Sequence, residues 1–466
     1  MTRIAAPGRG LVDDLTAVAL PWLTARALVL IGYCAAFAIS DRLTPGARPN
    51  QLTEGLIAWD GTWYREIAIR GYLALPDEAL RFFPLFPLTG RGLSALTFGR
   101  EDAALILVAN LASIAMLVMI RRLVRLERGS AELADRAVWM VCLFPGAFVL
   151  AWGYAEALFL LVAVTVFWAV RSRRWGWAIA AGLAVAATRP LGVLIAVPVA
   201  IETVRVWRSA STRERSLSVA AVLAPVAGIG AYLAWVAANF GDAWLPFSVQ
   251  GPLRGNSDPF TRLWRGIGDL FGPERLADGL HIPVVIVFLV LVVLSFRWWP
   301  ASYGAFAAVM VVVALSAENL NSLERYGLNA FPLALTLAVV ANRPSVERVT
   351  TTVLAGAMVG MCAMAWTGTY VPGPGPRAAR SSARASVHDG RRSTSARAAL
   401  PAMRESVLHE VLRAVRRLPR PTARVDGDRS TRSGGRGVRT EDECDAERSG
   451  VEGVTRRGVS PRSESR

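Results

Sequence analysis

"AALILVANLASIAMLVMI" (103–120) is an apolar run interrupted only by Asn110 and Ser113, and "RRLVRLER" (121–128) follows at once. As a helix the run covers about 27 Å, close to the ~30 Å hydrocarbon core of a bilayer. The pattern recurs at 137–152, 156–170, 217–238, 282–296 and 350–365. Of the 466 residues 53% are hydrophobic, and the mean hydropathy is +0.37. A soluble protein of this length needs more polar surface than that. The fold class is therefore an all-α polytopic membrane protein.

The runs divide the chain into about eleven transmembrane helices, near 26–40, 103–120, 137–152, 157–170, 175–188, 191–204, 217–238, 282–296, 301–317, 328–341 and 350–368. Residues 1–25 form a juxtamembrane segment with no small-residue cleavage site, so no removable signal peptide is expected. The core spans 26–371. Residues 372–466, opened by "PGPGP" and rich in Arg and Ser, read as a disordered tail with one weak helical stretch at 404–418.

The formal charge of +16 suggests nucleic acid as a partner, but the placement of the charge argues against it. Residues 377–466 hold 21 Arg against 12 acids, and most of the remaining excess sits in short loops between apolar runs. All 52 basic residues are Arg. The loops "RRLVRLERGSAELADR" (121–136), "RSRR" (171–174), "RVWRSASTRERS" (205–216) and "NRPSVER" (342–348) belong on the cytoplasmic side by the positive-inside rule. Alternate crossings then put the 41–101 loop, the 153–156 turn, the 188–190 break, the 239–281 loop and 318–327 on the outer side. The four cysteines form no CxxC, and two of the three histidines lie in the tail. No histidine-based metal site is expected, and no DxD stands in the outer loops, so no metal or other cofactor is expected.

The outer polar residues concentrate in "WDGTWYREIAIRGY" (59–72). Read as a helix, Trp59, Trp63 and Ile67 share one face, suited to the membrane interface where Trp is favoured. Asp60 and Tyr64 form the neighbouring stripe. Glu66 and Arg70 are spaced to pair, and Gly71 ends the helix at low cost. The segment reads as an interfacial helix holding Asp60 just above the bilayer. A plain amphipathic surface helix is the competing reading. "RFFPLFPLTGRGL" (81–93) is too short and too broken by Pro84 and Pro87 to span, and reads as a re-entrant or interfacial segment.

Together these two stretches resemble the first outer loop of the PIG-V-like mannosyltransferases, the family of the second GPI mannosyltransferase and its bacterial relatives. Three more stretches resemble family segments in the same order: "FPGAFVLAWGYAEALF" (144–159), with Ala155 and Ala157 where the family has serines, "ATRPLGVL" (187–194) and "RYGLNAFPL" (325–333). The likeness covers roughly residues 15–370, and the lysine-free composition points to a bacterial member. It implies a GT-C-type glycosyltransferase fold with interfacial helices in the first outer loop. It also implies a polyprenyl- or dolichyl-phosphate-mannose donor, and an acid of that loop, here Asp60, as catalytic base.

The chemistry is consistent with those residues. Outside the cytoplasm a lipid-carried sugar is the natural donor, and its transfer to a lipid or glycan acceptor needs a base for the acceptor hydroxyl. The leaving lipid phosphate needs fixed cations, and the planar arginine fork suits phosphate. Arg189 and Arg325 come first, with Arg254 third. Trp59, Tyr64, Glu66, Tyr154 and Tyr326 are expected to line the pocket. Glu156 either caps a helix start or orients the acceptor or an arginine. For Arg325 an ion pair with Glu324 or an interface position competes; an Arg at the depth of Arg189 is costly and usually functional. Other readings are the same fold with another lipid-linked sugar, a non-catalytic flippase or transporter, and a scaffold subunit of a glycan assembly.

Overall fold

The computed structural model describes residues 7–43, 46, 48–250, 258–272, 278–317, 320 and 322–370. The chain divides into two units, Met1–Arg391 and Arg392–Arg466, and every described residue lies in the first. The tail, its weak helical stretch and Arg254 lie outside the described residues.

Among the described residues the secondary structure is helical throughout. The principal helices are α1 (Pro7–Leu43), α2 (Asp60–Arg70), α3 (Leu85–Leu93), α4 (Glu101–Arg128), α5 (Ala131–Leu143), α6 (Glu156–Arg171), α7 (Trp175–Thr188) and α8 (Ala196–Val206). They continue with α9 (Thr212–Phe240), α10 (Pro259–Phe271), α11 (Ile282–Trp298), α12 (Ala301–Leu315), α13 (Leu323–Asn329), α14 (Pro332–Val340) and α15 (Pro344–Thr367). Nine of the eleven apolar segments read from the sequence lie largely in continuous helix, while 137–152 breaks at Phe144 into a 3₁₀ turn and 328–341 breaks at Ala330–Phe331. Six stretches among the described residues are long and apolar enough to cross a membrane: Gly10–Arg42, Glu101–Arg128, Pro190–Ser209, Thr212–Phe240, Gly279–Trp298 and Pro344–Thr367. Trp175–Thr188 and Ala301–Leu315 are shorter apolar helices. The first helix begins at Pro7 rather than near residue 26 and carries Pro21 inside it.

Local sequence explains several boundaries. Ser211 and Glu214 form a reciprocal capping box at the start of α9. Gly71, Gly129, Gly241 and Gly368 follow helix ends with positive φ, which glycine adopts without a Cβ clash. Pro190 ends α7: Arg189 before it is extended (φ −156°, ψ 149°), as a residue preceding proline prefers, and a 3₁₀ turn over Pro190–Ile195 leads into α8.

Paired charged groups gather in two separate places in the bundle. One end carries the arginines read as cytoplasmic loops. Three of them are paired and at most part-exposed: Arg121 with Asp14 (2.5 Å) and Asp135 (2.6 Å), Arg171 with Glu127 (2.5 Å) and Glu202 (2.9 Å), Arg136 with Glu347 (3.1 Å). These pairs tie α1, α4, α5, α6, α8 and α15 together at that end. The other end carries the starts of α2, α6 and α13 and the break after α7.

One close approach positions that second end. A Cβ on Gly146, in the 3₁₀ turn Pro145–Leu150, would stand 2.6 Å from the Glu324 carbonyl oxygen and 2.8 Å from the Arg325 nitrogen. Backbone is there, not a side chain that can swing away. Gly146→Ala is therefore expected to push α13 off its seat and cost about 1–3 kcal/mol as overpacking does. A fall in the melting temperature of purified protein in detergent measures it.

Candidate functional site

α2 is fastened to the bundle, not laid on a membrane surface. Trp63 is 1% exposed and Ile67 is fully buried. The Trp59 indole N–H donates to the Ala365 carbonyl (2.8 Å) and that of Trp366 to the Gly55 carbonyl (3.0 Å). The Trp59–Trp63–Ile67 face thus packs on protein, which corrects the expectation of an interfacial face there. Arg81 stacks near Trp63 (5.4 Å) and Phe82 (4.7 Å), and Tyr64 meets Phe82 and Phe86 edge-on. The apolar surface that would have met headgroups is filled by the 81–93 segment. That segment is a 3₁₀ turn over Asp77–Arg81 followed by α3.

Two local features set Asp60 in place. Trp59 has φ 59°, a conformation that non-glycine residues adopt only when their surroundings hold them. Its buried indole hydrogen bond to Ala365 does so, and the turn points the first residue of α2 inward. The Asp60 backbone N–H then donates to the Tyr154 hydroxyl (3.1 Å). Below it the Gly153 N–H donates to the Leu56 carbonyl (2.9 Å), joining the first loop to the α5–α6 turn.

The carboxylate of Asp60 accepts from Arg325 Nη1 (2.5 Å). The same nitrogen lies 3.4 Å from Glu156 Oε1, and Glu156 is also bonded by Arg189. Arg325 reaches Ser322 Oγ with Nη2 (3.4 Å) and stands 5.7 Å over the Tyr154 ring. Asp60, Glu156 and Arg325 are all buried, and the Arg189 side chain is 11% exposed. Two acids and two arginines therefore form one linked, electrically balanced group. A buried charge is tolerated when paired and hydrogen-bonded in this way.

Tyr64 borders the group. Burial pushes its phenol well above the usual range, and the nearby Arg189, Glu156, Asp60 and Arg325 act on it in opposing directions. Its hydroxyl thus stays protonated and available as a donor.

Of the residues singled out in the sequence, Asp60, Tyr64, Tyr154, Glu156, Arg189 and Arg325 come together. Glu156 stands first in α6, makes no side-chain cap hydrogen bond there, and binds arginine. Arg325 pairs with Asp60 and not with Glu324. Glu324 instead accepts at 2.7 Å from His281 Nδ1, or shares a proton with it. Trp59 is tied to the last helix through its indole hydrogen bond to the Ala365 carbonyl. Glu66 pairs with Arg70 (3.1 Å) nearer the surface, as its spacing indicates. Tyr326 is buried beside Arg325 in the chain. Sequence reasoning passed over Arg81, which is half-buried within electrostatic reach of Asp60 and Tyr64, and the His281–Glu324 pair. Among the described residues no group of three or more His, Cys, Asp or Glu is arranged to hold a metal ion.

The segment holding five of the six assembled residues can be placed among known proteins. Residues 47–222 match the family model Mannosyltransferase (PIG-V). The first four family-like stretches lie inside this match, and the fifth, with Arg325, lies beyond it. No curated protein sequence matches the chain. Among solved structures it is similar to the oligosaccharyltransferase of Archaeoglobus fulgidus, a GT-C enzyme, in complex with zinc and sulfate. Identity there is 13% and the TM-score 0.38, over 75% of this chain and 53% of that one. The archaeal oligosaccharyltransferase AglB of the same organism, in complex with an inhibitory peptide and a dolichol-phosphate, is 12% identical with TM-score 0.38, over 75% and 56%. The chain thus spans about half the length of these structures.

Proposed function

We propose that this chain is a GT-C-type membrane mannosyltransferase of the PIG-V kind. It moves a mannosyl residue from a polyprenyl-phosphate-mannose to a lipid or glycan acceptor at the extracytoplasmic face of the cell membrane. The observation that carries the reading is the buried Asp60–Arg325–Glu156–Arg189 group, built largely within the segment that matches the family.

The charges suit the reaction. Asp60, hydrogen-bonded to Arg325, takes the proton of the acceptor hydroxyl as that oxygen attacks the anomeric carbon. The bond from that carbon to the phosphate oxygen breaks. The donor phosphate is a diester with one negative charge; the leaving lipid phosphate is a monoester with nearly two. As Asp60 becomes neutral, Arg325 loses its counter-charge at the moment the phosphate gains one. Arg325, with Arg189, then holds the leaving group through charge-assisted hydrogen bonds. Glu156 keeps both guanidinium groups in place, and Tyr64 and Tyr154 border the sugar.

Membranes containing the chain, given radiolabelled polyprenyl-phosphate-mannose, are expected to pass label into lipid or glycan product. Label arriving instead from a nucleotide-linked mannose in membranes stripped of lipid carrier would refute the donor assignment. Transfer from a different lipid-linked sugar alone would refute mannose and keep the donor class.

A further inference from the structure

We propose that α10, in the loop between α9 and α11, lies along the bilayer interface and anchors this end of the bundle in the lipid headgroup layer. Asp258 caps the helix, accepting from the Phe260 (3.2 Å) and Thr261 (2.7 Å) N–H groups. One side packs on protein: Arg262 and Gly266 are buried, and a Cβ on Gly266 would meet Ile282 Cδ1 at 2.3 Å. The opposite side carries Phe260, Trp264, Ile267 and Phe271, spaced i, i+4, i+7 and i+11, and they are 84%, 77%, 40% and 85% exposed. Side chains of that size so spaced form one continuous apolar stripe.

The structure favours lipid over another protein as the cover. α10 has 13 residues, about 20 Å of helix, too short to cross. Gly266 touches Ile282, the first residue of α11, and a Cβ on Gly279 would stand 2.8 Å from the Asp269 carbonyl. These contacts hold α10 level with the first turn of the span Gly279–Trp298. That span turns Ile286, Val290 and Val293 outward, each more than half exposed, as a lipid-facing surface does. Arg265 is exposed on the flank of the helix beside the stripe, where anionic headgroups can receive it. At the same end, ahead of α4 and after α9, Phe98 is 98% and Trp244 57% exposed. Aromatic side chains ringing one level of a membrane protein mark the water–lipid boundary.

The test uses the full chain with Cys34→Ser and Cys444→Ser, in phosphatidylcholine–phosphatidylglycerol vesicles. Spin labels are placed through Phe260→Cys, Trp264→Cys and Phe271→Cys. Val293→Cys serves as lipid reference and Arg213→Cys as water reference. The three stripe positions are expected to favour oxygen over a water-soluble nickel relaxant, as Val293 does. Accessibility like that of Arg213, or protection from both reagents by a second copy or a protein partner, overturns the proposal. Trp264→Phe keeps the stripe aromatic and should remove a bromolipid-quenched component of the tryptophan emission; unchanged quenching contradicts the proposal even where a labelled variant fails to fold.

Discussion

Arg325→Gln is expected to unfold or severely destabilise the protein, by about 3–5 kcal/mol, because it strands two buried carboxylates. Asp60 has Arg325 as its ion-pair partner, and Glu156 keeps only Arg189. Glutamine can still donate one hydrogen bond but supplies no charge. The loss is therefore one of uncompensated charge, and removing a charge of opposite sign should relieve it. The double variant Asp60→Asn with Arg325→Gln is expected to recover much of the melting temperature and no activity. Residues that share an ion pair are coupled in just this non-additive way. The measurement is the thermal denaturation midpoint in one detergent for wild type, both single variants and the double. Additive losses would mean that the pair is not the electrostatic unit described here.

Arg189→Lys separates catalysis from stability. Lysine keeps the positive charge beside Glu156, so the melting temperature should stay near that of the wild type. It lacks the planar fork that grips two phosphate oxygens at once, and its ammonium is more strongly hydrated. One charge-assisted hydrogen bond to the leaving phosphate is worth about 1.5–3 kcal/mol. Transfer should therefore fall by roughly one to two orders of magnitude. The loss is expected in kcat as well as kcat/KM, because the second phosphate charge exists only as the bond breaks. Full activity in Arg189→Lys would leave Arg189 a structural partner of Glu156 and nothing more.

Much of the fold was legible in the sequence because its signals are local. Long apolar runs mark helices wherever they pack, Pro190 ends α7 whatever surrounds it, and Glu66 with Arg70 pair across one helical turn. The orientation of α2 was not legible. A stripe of Trp59, Trp63 and Ile67 looks the same whether lipid or protein covers it, and here Phe82, Phe86 and Ala365 supply protein. The stripe that does face outward is on α10, in a stretch that reads as loop because it is short and flanked by Gly and Pro.

For the candidate site, the residue types pointed to side chains that the fold brings together, since a lone acid or arginine among apolar helices is expensive to keep without a use. Their partners were hidden by distance along the chain. Asp60 and Arg325 are 265 residues apart, and His281 and Glu324 are 43 apart. For the same reason the neighbouring Glu324 was the competing partner for Arg325. As consecutive residues of α13 they point about 100° apart, which sends the two side chains to different partners.

The measurement that bears most directly on the account is label transfer from radiolabelled polyprenyl-phosphate-mannose by membranes holding equal amounts of wild type and Asp60→Asn. Loss of a positioned base costs about 10²–10⁴-fold. Asparagine keeps the size of the side chain, and Arg325 keeps Glu156 as counter-ion. The account predicts transfer by the wild type and a loss of at least about a hundredfold in the variant, with the protein still present in the membrane. Equal transfer by both would contradict it.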